Sequence, residues 1–274
     1  MTDESTTYFG IDLGTTNSVI SYIDRDGRPV VVRCDAASSD ILPSIVYFEN
    51  AGNTIVGSQA KNVARLYPDR VVTRVKRYMG QERQWEFDGN IHTAETISAL
   101  ILKQLASDAT AETGHEVRQV VITVPAYFGM LERDATRNAG RIAGLDVIGI
   151  VPEPVAAVLH YDLAAGDRER TVLVYDLGGG TFDTTAIKIA ADSIEVLCTD
   201  GDQELGGVDW DDRLIDFLVA EFVEKAKPVE DPKSDEAFMQ ELAKDAEALK
   251  QALSRYESRQ LAIRFAGASG LRGE

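Results

Sequence analysis

Short apolar runs broken by polar turns dominate the first third of the chain. Residues 8–13 form an apolar run that carries Asp12 and enters a Gly/Thr/Asn turn at 14–17, and a second β-rich run covers 18–23. The pattern predicts a hairpin, not a strand feeding a helix. Further strand patterns lie at 29–34, 44–48 and 54–57. At Thr93 the period changes, because Ile97, Leu100, Ile101 and Leu105 recur at helical spacing behind a Ser/Thr-rich start, with Gly114 as a stop. A strand closed by Pro125, a helix over 129–145, a short strand and turn over 146–154 and a helix over 155–166 follow. That alternation predicts an α/β architecture whose sheet strands are covered by helices.

A polar break at 164–170 places a boundary near Arg170, giving a first unit of 1–170 and a second of 171–274. The second unit opens with a strand over 171–177, a turn at 178–183 and strands at 184–190 and 193–202. Residues 204–226 precede a Pro- and charge-rich stretch, and a last helix is expected over 237–256.

The two units begin alike. "FGIDLGTTNS" at 9–18 and "YDLGGGTFDTT" at 175–185 each set an Asp at a strand end before a turn rich in glycine and hydroxyls. Glycine lets backbone approach a ligand closely, and successive N–H groups in such a turn form an anion-binding nest. The neighbouring carboxylate would repel a bare phosphate, and a cation between them removes the conflict. Mg²⁺, which keeps several waters and accepts carboxylates together with phosphate oxygens, suits that place. Two such hairpins suggest two lobes clasping one polyphosphate. Neither GxxxxGK[ST] nor a GxGxxG opening a helix occurs.

Composition narrows the partners. The 274 residues carry a net charge of −17, with 44% hydrophobic and 27% charged residues. That balance argues against a nucleic-acid backbone as partner and leaves phosphate to be held locally. Cys34 and Cys198 are too few and too far apart for a disulfide framework or a four-ligand zinc site, and both are expected to be small buried residues. The polar, acidic N-terminus is not a secretion signal, and no apolar run reaches a bilayer span, so a cytoplasmic protein without a membrane partner is expected.

Seven motifs in order, "GIDLGTTNS", "VKRYMG", "VVITVPAYF", "GRIAGL", "PEPVAAV", "VYDLGGGTFD" and "LGGVDWDDRL", resemble the nucleotide-binding domain of the Hsp70 chaperone family, of the DnaK type, from about Tyr8 to Ser254. The resemblance implies an actin-like, ribonuclease H-like ATPase fold of two lobes and an ATP hydrolase using ATP/ADP and Mg²⁺. It implies that Asp12, Gly14, Thr15, Thr16 and Asn17 form a first phosphate loop. Asp176, Gly178, Gly179, Gly180 and Thr181 would form the second, with Thr181 counted among the catalytic residues. Lys76 would sit near the γ-phosphate and attacking water, and Asp12, Glu153 and Asp176 would hold the metal mainly through water. Gly206, Gly207, Glu247, Lys250 and Ser254 would face the nucleotide. Pro125 and Arg133 match a relay between nucleotide state and a peptide-binding domain. Partners implied are a J-domain co-chaperone, a nucleotide-exchange factor and unfolded client polypeptides.

Three positions depart from the family pattern. Gln251 stands where an arginine usually stacks on adenine, which weakens base affinity on this reading. Gly149 and Pro152 replace an arginine and an asparagine, the arginine being implicated in J-domain contact. The family also continues beyond the equivalent of Glu274, so the second lobe is expected to be incomplete, with an unpaired apolar sheet edge, and the peptide-binding domain to be absent. The competing readings are a non-catalytic nucleotide-binding or interaction module of the same fold, or another actin-like or sugar-kinase superfamily ATPase.

Overall fold

A computed structural model describes residues 7–34, 39–161 and 169–265. The first hairpin is β1 (Phe9–Asp12) and β2 (Asn17–Ile23), antiparallel with Ile11 opposite Ile20. Strands β3 (Pro29–Val31) and β4 (Leu42–Pro43) both pair with β2. Next come β5 (Ile45–Asn50), β6 (Asn53–Val56), the short helix α1 (Ser58–Val63) and β7 (Val71–Thr73), with β5 between β6 and β7 in a small sheet. A 3-10 turn over Val75–Tyr78 leads to the hairpin β8 (Gln84–Phe87) and β9 (Asn90–Thr93).

Helix α2 (Ala94–Thr113) begins with Thr93 and Thr96 bonding each other's backbone as a capping box and ends on Gly114 at φ 71°, as the cap signals require. Strand β10 (Gln119–Val124) runs parallel to β1, α3 (Met130–Ile142) crosses over, and β11 (Asp146–Pro152) runs parallel to β10. The main sheet therefore has the order β11-β10-β1-β2-β3. Its core includes Ile11, Ile20, Ile122, Ile97, Leu102 and Leu105. Gly140 lets α3 settle onto β11, because a Cβ there would lie 2.3 Å from Val147 Cγ2.

Helix α4 (Glu153–His160) leaves this sheet and covers a second one, of β12 (Arg170–Leu177), β13 (Phe182–Ala190) and β14 (Ser193–Asp202) in that order. Val158 packs with Ile187 and Ile189. The other face leaves Leu173, Tyr175 and Leu177 exposed. Residues 204–226, to which the sequence pattern above assigns no element, hold α5 (Gly207–Ala226). It packs against α6 (Glu236–Leu253) through Phe222, Phe238 and Phe265.

Several expectations are corrected. Cys34 is buried, but Cys198 is exposed, because its position on β14 faces away from the buried cluster. Helix α4 starts at Glu153, two residues earlier than expected, since Pro154 fits the first helical turn; the end of the predicted helix, 162–166, lies outside the described residues. Among the described residues no helix is long and apolar enough to cross a membrane.

Candidate functional site

Both glycine turns are shaped by close backbone approach. At Gly14 a Cβ would lie 2.0 Å from the Asn17 carbonyl oxygen, so a side chain is excluded. Ser44 braces this turn twice, its Oγ donating to the Gly14 carbonyl and its N–H to the Thr16 carbonyl, each at 2.8 Å. In the second turn the Gly178 N–H donates to the Thr181 carbonyl at 2.8 Å. The start of α5 is bonded into it, with the Gly207 N–H on the Gly178 carbonyl at 3.0 Å and the Val208 N–H on the Gly179 carbonyl at 2.8 Å. A Cβ at Gly206 would meet Gly180 N at 2.4 Å, so that approach also needs glycine.

The two turns touch. A Cβ on Gly179 would lie 2.6 Å from both Cβ and Oγ1 of Thr16, and one on Gly180 would lie 3.1 Å from Thr15 Cγ2. Arg77 reinforces the contact by donating from its guanidinium to the Gly180 carbonyl.

A charged cluster adjoins the turns. Lys76, 6% exposed in the 3-10 turn, donates to Glu153 Oε1 at 2.5 Å. Glu153 is aimed by its place at the head of α4, between Pro152 and Pro154. The parallel register sets Thr123 beside Asp12, and the Thr123 hydroxyl donates to Asp12 Oδ1 at 3.0 Å. Asp176 faces Asp183 across the β12–β13 pair. Burial raises the Glu153 carboxyl above the usual range, Lys76 opposes that rise, and Asp12 and Asp176 add to it. Burial, then Asp12, raises Asp176. Burial, then the Asp176 charge, pushes Asp183 up to about 6. Tyr127 is raised by burial, with Asp183 and Glu153 adding.

Asp183 is a fourth carboxylate that the sequence reading misses. Its signal is present in "DLGGGTFD": a hairpin closed by Gly178 and Thr181 sets 176 against 183.

A cleft of about 710 Å³ opens beside the turns, lined by Thr15, Thr16, Gly179 and Gly207 and walled by α1, α5 and α6. Lys250 donates to the Gly207 carbonyl and to Asp211, both at 2.8 Å. Glu247 accepts from Lys61 of α1 at 2.6 Å. Gln251 also lines the cleft, whereas Ser254, the C-cap of α6, is not among its lining residues. Of the relay positions, Pro125 ends β10 and Arg133 donates to the Phe128 carbonyl at 2.9 Å, Phe128 lying under Lys76 at 6.0 Å. Gly149 faces Val121 from the edge strand, and Pro152 closes that strand.

The cleft has the size of a small-molecule site, with backbone turns and lysines suited to phosphate. Among the described residues no group of three or more His, Cys, Asp or Glu is placed to grip a metal directly. The crowded carboxylates Asp12, Glu153 and Asp176 instead suit a hydrated Mg²⁺ held through its own waters.

Comparison with known proteins agrees with the motifs. The family model described as Hsp70 protein matches residues 8–87 and 81–271. The chaperone proteins DnaK of Thermotoga petrophila and Thermotoga maritima are each 45% identical to the chain over 245 residues, and that of Thermotoga neapolitana is 46% identical over the same length. Each alignment covers 89% of this chain and 41% of the relative, so the chain spans about two fifths of the length of these relatives.

Proposed function

This chain belongs to the Hsp70 family, and on that premise we propose that it is the ATP-binding and ATP-hydrolysing part of a DnaK-type chaperone, built as an actin-like ATPase of two lobes meeting near Arg170. The observation that carries the reading is the Lys76–Glu153 pair set among Asp12, Asp176 and two glycine turns, of which Thr15, Thr16 and Gly179 line a cleft of small-molecule size.

Hydrolysis of a phosphoanhydride needs charge neutralisation and an aligned water more than covalent chemistry by the protein. The N–H groups of 14–17 and 178–181 would receive phosphate oxygens, and the hydroxyls of Thr15, Thr16 and Thr181 would add donors. Lys76 supplies positive charge beside the terminal phosphate and, with Glu153, orients the attacking water. Asp12, Glu153 and Asp176 would hold Mg²⁺ through water, and that ion when bound supplies further neutralisation of phosphate charge. Glu247, Lys250 and Gln251 would face the nucleoside. Because Gly179 rests on Thr16, the turns must separate for a phosphate to enter. Client polypeptides, a J-domain co-chaperone, an exchange factor and a cytoplasmic setting belong to the same proposal.

Calorimetry with Mg·ADP and Mg·ATP, beside Asp176→Asn, tests the reading. Micromolar or tighter binding that the substitution weakens, followed by single-turnover hydrolysis, is the expected result. Binding without turnover would leave a non-catalytic nucleotide module, and a folded chain that binds neither nucleotide would remove the proposal.

A further inference from the structure

Lys76 and Arg77 are consecutive in one 3-10 turn but point to different places. Lys76 reaches Glu153, while the Arg77 guanidinium reaches the carbonyl of Gly180 in the second glycine turn. At three residues per turn, neighbouring side chains diverge by about 120°. One short segment thus delivers two cations to two sides of the same site.

Two buried polar atoms beside Gly180 have no hydrogen-bond partner among the described residues: Arg77 Nε and Thr16 Oγ1. Both side chains converge there, since a Cβ on Gly180 would lie 3.3 Å from the Arg77 guanidinium and 3.5 Å from Thr16 Oγ1. A buried N–H without an acceptor is costly and uncommon in folded proteins. Arg77 Nε can only donate, and a hydroxyl can donate as readily as accept. The missing group is therefore an acceptor, and beside an arginine an anionic one is favoured.

We propose that Arg77 is a phosphate-binding residue, which moves its guanidinium from the Gly180 carbonyl onto a β-phosphate oxygen that Thr16 shares. The inference rests on the nucleotide reading above. It adds a planar, permanently charged fork to the point charge of Lys76, and the fork can meet two phosphate oxygens at once. It also gives the Gly180 contact a function: without ligand, a carbonyl oxygen of the turn stands in for the phosphate oxygen.

The affinities of ADP and adenosine for the 274-residue chain, measured by calorimetry for wild type, Arg77→Gln and Arg77→Lys, separate these roles. A phosphate ligand requires Arg77→Gln to lower ADP affinity roughly tenfold or more while adenosine affinity holds, with Arg77→Lys between it and wild type. Equal losses for ADP and adenosine, or an unchanged ratio in both variants, would overturn the proposal and leave a structural tie. If Arg77→Gln does not fold, the same ratio in Arg77→Lys decides, a fall supporting the proposal and no change refuting it. Failure of the wild-type chain to bind ADP at all would refute the nucleotide reading itself, and the inference with it.

Discussion

Lys61 of α1 and Glu247 of α6 close on each other at 2.6 Å across the cleft, joining elements 186 residues apart. Both are partly exposed, with side-chain exposures of 40% and 34%, so the pair adds little to global stability. Its effect falls on opening of the cleft. Lys61→Ala should speed release of bound nucleotide on the order of fivefold, matching about 1 kcal/mol, and Glu247→Ala by at least as much because Glu247 would also face the nucleoside, with the melting temperature nearly unchanged in both. Stopped-flow release of a fluorescent ADP checks this. Equal rates in Glu247→Ala and the double variant would show that one contact is responsible.

Lys76 is the counter-charge for a carboxylate already crowded by two others. Lys76→Met should abolish hydrolysis and destabilise the fold by about 3 kcal/mol near pH 8, where Glu153 would be left charged and unpaired. The loss should shrink at lower pH, because a carboxyl with a raised pKa gains its proton as pH falls. Urea denaturation across this pH range reads the difference, and a pH-independent loss would contradict this account.

Asp183 gives a second pH effect. Its carboxyl is raised from 3.8 to about 6 in the fold. Between those values the folded chain holds the proton more tightly than the unfolded chain, so this group's contribution falls as pH rises through the window and is level above it. Asp183→Asn carries no such loss. In metal-free buffer the variant should gain stability over wild type between about pH 4 and 6, reaching at most about 3 kcal/mol at neutral pH, an upper bound that solvent screening of the half-buried group lowers.

Gly140 tests the packing of α3. Gly140→Ala gains helix propensity of about 1 kcal/mol, but its Cβ would sit 2.3 Å from Val147 Cγ2. Overpacking costs about 1 to 3 kcal/mol, so a net loss of up to about 2 kcal/mol is expected. Combining it with Val147→Ala should be less damaging than the two single losses added together, as measured by thermal melting.

The sequence is most readable where period and caps agree. Thr93 and Gly114 bound α2 because one supplies a capping oxygen and the other a left-handed stop. The two glycine hairpins are readable for the same local reason. Helix α5 was equally open to reading, since Ile215, Leu218, Val219 and Phe222 follow its buried face at helical spacing. The β8–β9 hairpin carries an Asp88-Gly89 turn, both residues at positive φ, but its strands alternate too weakly to announce themselves. Helix α1, six residues long, offers less than two turns of period. The Lys76–Glu153 pair spans 77 residues with no spacing rule to join them, so the sequence reading, even with the family resemblance, named the two residues separately and did not join them.

Gly206 sets its backbone directly against that of Gly180, and Gly179 sets its backbone against the Thr16 side chain. A displacement of the second turn must carry the head of α5 with it, since the Gly207 and Val208 N–H groups are bonded to that turn. Lys250 is tied to the Gly207 carbonyl and to Asp211, so α6 is harnessed to the same motion. One continuous run of hydrogen bonds therefore joins the second glycine turn, the head of α5 and Lys250 of α6 along one side of the cleft.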